Sequence, residues 1–549
     1  MPAVSTSKDR AVARAFMWCG FARICYECYK LHGPIDGSSF GKFAGPGFPT
    51  NSRPSPMLRD WKPKVTVARG TPVALSLQIT QAIVEKIRIG LLRSGEALPG
   101  TRELAEQLGV NRKTVVVAYD ELISQGWLVA QGKRGTFVSP QLPEVQTEAK
   151  ARMIRHASKG RLPSPDYRPY GVERPLPEVI PKDFIEFTDG VPDTRVVPFS
   201  ALSSAFRLAL LETARGNRLG YGDPRGLVSL RRLLASMLRM ERGLNADEET
   251  LCLVRGSQMG IYLAARLLIR PGDVVAIERL TYPPARDAFR ACGATIVSIE
   301  QDEHGLIPQS LERLCRRNRI RAIYITPHHQ FPTTVTLPVE RRLRLLDLAE
   351  QFGFVIVEDD YDHEFHFAHM PMLPMASVDY RGKVLYIGSL SKVLAPGLRI
   401  GYIVAPKEIV NRIANEVMLI DRQGNSVTER AAVELMENGE LKRHIRRALK
   451  VYEARRDLMI QLVRDKLGFA ANFRPPDGGL ALWLRLDERI DMARLEHDAL
   501  TARVSVLPGT AFSDQQMPVN ALRLGYGSLN ERELALGLER LTRVIGLQF

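Results

Sequence analysis

Cysteine is scarce in this chain: six residues among 549, with Cys252, Cys292 and Cys315 widely scattered. That density excludes a disulfide framework and fits a reducing compartment, so a cytoplasmic location is expected. Long apolar runs are missing too. Stretches such as Val115 to Tyr119 end in charge well before the roughly 18 residues a membrane helix needs, so no membrane span is expected. Acidic residues fall short of basic ones, 61 against 76, and the balance of +15 suits a polyanionic partner. What is present is ordinary for a folded protein: 45% apolar and 25% charged residues exclude global disorder, and the length implies at least two folded units.

Residues 1–60 read as a disordered or mis-assigned extension, because Gly, Pro and Ser clusters interrupt one short aromatic stretch and neither structural period is sustained. Translation starting at Met57 is one reading of this segment. Cys19, Cys25, Cys28 and His32 are cramped and lack a second well-spaced pair, so no metal site is expected.

Residues 61–140 are patterned differently, and they hold 11 Lys or Arg against 6 Asp or Glu. Ile79, Ile83, Ile87 and Leu91 recur every four positions, the stripe of an amphipathic helix. LPGTRELAEQLGV then offers Thr101 as N-cap, Leu104, Ala105 and Leu108 as the buried face and Gly109 as the stop. Asn111 can cap the next helix, in which Val115, Tyr119 and Leu122 face inward while Arg112, Lys113 and Thr114 occupy the exposed first turn. That turn is where a recognition helix meets bases and phosphates. WLVAQGKRGTFVSP follows as two strands around a basic turn. The stretch LPGTRELAEQLGVNRKTVVVAYDELISQGWLVAQGKRGTFV resembles the winged helix-turn-helix of the GntR family. On the matching positions the resemblance makes Arg102, Arg112, Lys113, Thr114, Lys133 and Arg134 contacts to double-stranded operator DNA, with Gly135 letting the hairpin approach a phosphate.

Residues 141–183 read as a Pro-rich linker. From 184 to 549, β-branched runs (274–277, 295–299, 322–326, 354–358, 384–388, 401–405) alternate with helical patterns, which implies a mostly parallel sheet covered by helices. From about Val427 the pattern changes to amphipathic helices and then two strands, LALWLRL and ALRLGY, expected to form a smaller α+β lobe.

Three motifs in this unit carry chemistry together. A strand end leads into Gly256, Ser257 and Gln258 and a long helix, leaving free N–H groups for a phosphate. VEDDYDHEF places Asp359, Asp360 and Tyr361 at another strand end, and GSLSKVLAPGLRIGY places Ser389, Lys392 and Arg399 in a punctuated loop. Pyridoxal phosphate needs a Lys for its aldehyde, an acid for its ring nitrogen, and hydroxyls or cations for its phosphate. Lys392 suits the aldehyde, Ser389 and Arg399 the phosphate, and Asp359 the nitrogen, with Asp360 as the alternative in an unknown register. Tyr361 can bond the ring hydroxyl and Tyr282 can stack on the ring.

SLSKVLAPGLRIGY resembles the fold-type I aminotransferases, and that resemblance makes Arg523, in ALRLGYGS, the partner of a substrate or effector carboxylate. A GntR-type winged helix joined to such a domain resembles the MocR subfamily, whose regulators respond to γ-aminobutyrate, taurine or pyridoxal phosphate itself; EDDYDHEF and TPHHQFPTT are similar to its hallmark segments. Thr334 stands where that subfamily usually has Gly, His328 where Ser is common, and Phe331 where aminotransferases place an Asn. The resemblance implies a transcriptional regulator that carries pyridoxal phosphate on Lys392 and senses an amino compound or pyridoxal phosphate, as a head-to-tail homodimer. A working aminotransferase with a fused DNA-binding module is the alternative, and a large domain that only dimerises is a third reading.

Overall fold

The computed structural model describes residues 65–143, 180–181, 183–216, 219–367, 372–514 and 517–549. The readings of residues 1–60, of Met57 and of most of the linker lie outside them. The chain divides into two compact units, one ending at Arg168 and one beginning at Pro169.

In the smaller unit, α1 (Leu75–Arg88) buries Ile79, Ile83 and Ile87. The fourth expected position fails: the helix stops at Arg88, so Leu91 points to solvent and Leu92 takes its place in the core. Helix α2 (Thr101–Leu108) begins one residue earlier than capping logic suggests. Gly100 is the N-cap, and the Thr101 hydroxyl instead accepts a bond from Arg112 Nε at 3.4 Å. Gly109 ends α2 at φ 62°, the left-handed conformation that costs glycine no Cβ clash. Helix α3 (Arg112–Ser124) is capped by Asn111, whose side chain accepts from Lys113 N at 2.8 Å. Strands β1 (Leu128–Ala130) and β2 (Thr136–Val138) pair antiparallel around a short 3₁₀ turn at Gly132–Arg134. Val115, Tyr119 and Leu122 join Ile79, Ile83 and Leu104 in one core.

The larger unit is built on seven strands: β3 (Leu251–Val254), β4 (Val274–Glu278), β5 (Thr295–Ile299), β6 (Ile320–Ile325), β7 (Val355–Asp360), β8 (Val384–Ser389) and β9 (Gly401–Val404). Their spatial order is β3-β9-β8-β7-β6-β4-β5. Only β9 runs against its neighbours. The sheet is apolar on both faces because helices cover both, so its strands read as continuous Val, Ile and Leu runs rather than alternating ones. Helix α4 (Gly256–Leu268) follows β3 directly. A long helix, Glu440–Leu467, leads to a second sheet of four antiparallel strands: β10 (Ala471–Asn472), β11 (Ala481–Leu486), β12 (Leu507–Pro508) and β13 (Ala521–Gly525). Its order is β10-β11-β13-β12, so Arg523 sits on an inner strand, 1% exposed. No described helix is long and apolar enough to cross a membrane.

Replacing Ile83, which is fully buried, by Ala should cost the small unit about 2–5 kcal/mol. Native-state hydrogen exchange should show this as lost protection in α1–α3 with the β6–β8 amides unchanged.

Candidate functional site

Carboxyl ends of parallel strands open where crossovers diverge, and the candidate residues collect there. Asp359 is the next-to-last residue of β7, Ser389 ends β8, Thr326 follows β6, Tyr282 follows β4, and Ser257 is the second residue of α4 just after β3. Because β9 is antiparallel, Arg399 immediately before it arrives at the same edge.

Lys392, Asp359, Tyr361, Tyr282 and Ser257 line one cavity of about 60 Å³, together with Asp189, Tyr324, Thr326 and Phe331. Lys392 Nζ donates to Gly190 O at 2.9 Å. Tyr324 donates to Asp359 Oδ2 at 2.8 Å, while Asp359 Oδ1 is buried with no hydrogen-bond partner. Burial raises the Asp359 carboxyl to about 7 in spite of that bond, and neighbouring Asp360 adds to the effect. Tyr361 donates to His329 O at 3.1 Å. Tyr282 and Phe331 meet edge to face at 5.1 Å, so Phe331 supplies a ring wall where an Asn would have supplied a polar one.

Gln258, Ser389 and Arg399 do not line this cavity. Gln258 Nε2 donates to Pro284 O at 3.1 Å. Ser389 is buried, accepting from Ser391 N at 3.0 Å and donating to Ile400 O at 3.3 Å. Arg399 lies against the start of α4: a Cβ added at Gly256, whose φ is 75°, would sit 2.7 Å from its Nη2. The same guanidinium donates to Arg255 O and lines a neighbouring cavity of about 290 Å³. Arg523 borders the site from the second sheet. It donates to Asp189 O at 2.9 Å and Pro332 O at 2.6 Å, and its guanidinium lies 4.2 Å from the Phe331 ring centre.

The two adjacent carboxylates have different surroundings. Asp359 faces the cavity, whereas Asp360 accepts from Tyr386 at 2.6 Å, with His363 Nδ1 3.0 Å and Arg242 3.6 Å from the same oxygen. Burial alone would raise Asp360, but His363 and Arg242 beside it bring its carboxyl well below the usual range. Sequence reasoning missed Tyr324 and Asp189. The first depends on which strand lies beside β7, and the second arrives from more than 160 residues earlier in the chain.

In the small unit Arg102, Arg112, Lys113, Lys133 and Arg134 are exposed and Thr114 is half-buried. Gly109 ends α2 and Asn111 caps α3, so the first turn of α3 carries Arg112, Lys113 and Thr114 on one short stretch.

Asp359 and Glu358 are both raised to about 7, and burial takes Glu278 to about 8. The folded chain keeps protons there that the unfolded chain releases above about pH 4, so each group lowers stability as pH climbs toward its folded value. His328 and His444, lowered by burial, oppose this only below about pH 6.5. The melting temperature of the protein without ligand should therefore fall between about pH 6.5 and 8. Asp359→Asn should make that slope shallower; a melting temperature that rises over this window would contradict the assignment.

Comparison with known proteins agrees with this geometry. The family model for aminotransferase class I and II matches residues 182–541, and that for bacterial regulatory proteins of the gntR family matches residues 75–138. The HTH-type transcriptional regulator TauR of Rhodobacter capsulatus is 31% identical over 87% of this chain and 98% of its own length. The probable rhizopine catabolism regulatory protein MocR of Rhizobium meliloti is 29% identical over 86% of this chain and 94% of its own. The α-aminoadipate aminotransferase of Thermus thermophilus, solved with N-(5'-phosphopyridoxyl)-L-leucine, aligns at 27% identity with a TM-score of 0.63, covering 67% of this chain and 93% of that one. The chain thus belongs to the aminotransferase class I and II family, with a GntR-family segment ahead of that domain as in HTH-type regulators of the MocR type.

Proposed function

We propose that this protein is a cytoplasmic DNA-binding transcriptional regulator whose aminotransferase-like domain carries pyridoxal phosphate as a sensor. The observation that carries the reading is the shared cavity of Lys392 and Asp359, in which a buried carboxylate oxygen lacks a donor. A protonated pyridine nitrogen is the donor that such an oxygen fits, and its positive charge would bring the raised Asp359 carboxyl back to the ionised form. When bound, pyridoxal phosphate supplies an aldehyde that condenses with primary amines.

Lys392 would hold that aldehyde and Asp359 the proton on the ring nitrogen, with Tyr324 orienting Asp359 through its second oxygen. Tyr361 would bond the ring hydroxyl, and Tyr282 would stack on the ring. Ser257, Arg399 and the first amides of α4 would bind the phosphate, with Ser389 bracing the loop beneath them and Gln258 fixing the following segment through Pro284. The effector is an amino compound or pyridoxal phosphate itself. A carboxylated amine would compete for Arg523 with the carbonyls of Asp189 and Pro332, so its binding would favour a different arrangement of both segments. Such a preference for one conformer is what a sensing ligand must have.

Arg112, Lys113 and Thr114 on α3, Arg102 on α2 and Lys133 and Arg134 in the wing would contact the operator. Two copies would read paired half-sites as a head-to-tail dimer. Phe199, Leu210, Tyr221 and Leu419, all more than half exposed on the larger unit, support a surface that a second copy covers.

Borohydride reduction after incubation with pyridoxal phosphate should attach the cofactor at Lys392, read by peptide mass spectrometry. Lys392→Ala should lose both the adduct and the visible absorbance band; an unmodified Lys392 peptide in the wild type would reject the cofactor assignment. For the DNA unit, Lys113→Ala and Arg134→Ala should each weaken operator binding and flatten the plot of log affinity against log salt by about 0.9 for each phosphate no longer neutralised.

A further inference from the structure

Behind the cofactor cavity the structure gathers imidazoles and carboxylates that the proposed function does not use. We propose that His328, Asp360 and His363 form a buried binding site for a divalent transition-metal ion of the zinc class. The three residues come from the loop after β6 and from the end of β7, and they are 3%, 3% and 7% exposed. One ligand atom from each lies within 4.8 Å of the other two. The His328 and His363 rings are 4.6 Å apart between centres.

Buried polar groups are normally hydrogen-bonded, and this cluster departs from that rule at the atoms a metal would use. Both nitrogens of His328 lack a hydrogen-bond partner, and so does Asp360 Oδ1. Tyr386 donates to Asp360 Oδ2 at 2.6 Å, an outer partner that orients the carboxylate, and His363 Nδ1 lies 3.0 Å from the same oxygen, while Oδ1 has no partner. His329, its ring 4.7 Å from that of His328, groups with His328 and His366 rather than with Asp360 and His363, and its Nδ1 lies 2.9 Å from Asp362 Oδ1.

The donor set selects the ion. Imidazole nitrogen with one carboxylate and no thiolate suits zinc and its first-row neighbours, whereas calcium and magnesium take oxygen alone. The place in the fold selects the consequence. His328 is three residues before Phe331, and Asp360 follows Asp359, so an ion here would tie together the two segments that line the cofactor cavity. That role is structural, and it stands whether or not the cavity holds pyridoxal phosphate.

The test uses full-length protein stripped with chelator and reloaded with zinc chloride alone. One zinc per chain should be retained after desalting, with a rise in melting temperature of about 2–5 °C. X-ray absorption should show a nitrogen and oxygen shell with imidazole scattering. His363→Ala and His328→Ser should each lose at least tenfold in zinc affinity, while Cys25→Ser/Cys28→Ser should keep it. Absence of retained zinc, a sulfur shell, or equal zinc content in wild type and both histidine variants would overturn the site. The absorption spectrum of the wild type decides the matter should either histidine variant fail to fold.

Discussion

The burial of one carboxylate governs this site. Asp359 lies next to the end of a strand in the middle of a seven-stranded sheet, with Tyr324 on one oxygen and no hydrogen-bond partner on the other, and burial raises its carboxyl to about 7. Such a buried group is costly while unpaired and becomes favourable once a cation meets it. The surrounding architecture serves that pairing. Parallel strands bring their carboxyl ends to one edge, the single reversed strand delivers Arg399 to the same edge, and Arg523 closes the far side from a second sheet.

The same geometry explains how a sensor can be made from an enzyme-like domain. Arg523 commits its donors to the backbone of two segments distant in sequence, around Asp189 and Pro332. A ligand that claims those donors changes what holds the two segments. Arg399 is likewise committed, in part, to the carbonyl that precedes α4. In the proposed reading, occupancy of the cavity would be converted into backbone rearrangement, the kind of change through which a linked DNA-binding unit can be addressed.

Much of this was legible in the sequence because local physics dominates there. Caps and i, i+4 spacing located α1–α3, and Asn111 and Gly109 act as their chemistry demands. Leu91 failed because the helix ended a turn early, and Thr101 failed because a backbone-only cap at Gly100 suffices. Lys392, Asp359, Tyr361, Tyr282 and Ser257 lie at or after strand ends and line one cavity, whereas Gln258 turns to a backbone carbonyl instead. Tyr324 and Asp189 were hidden, since both depend on strand order and on long-range return of the chain. Thr334 adopts φ 63°, which accounts for the Gly usual at that position. The histidine cluster left a faint trace, an adjacent pair at 328–329 and a His-x-x-His at 363–366, but only the packing of two strand ends joins them.

Linkage between the Lys392 cavity and the DNA-binding unit is the centre of this proposal, and operator affinity measures that link directly. Fluorescence anisotropy with DNA from the protein's own upstream region should be run at fixed salt, without and with saturating pyridoxal phosphate. A shift of about 5-fold or more in the wild type, abolished in Lys392→Ala, is the expected result, since coupling between sites is commonly about 5–150-fold. Equal affinities in all four conditions would show that the cavity and the operator are not coupled, and would contradict the sensor reading.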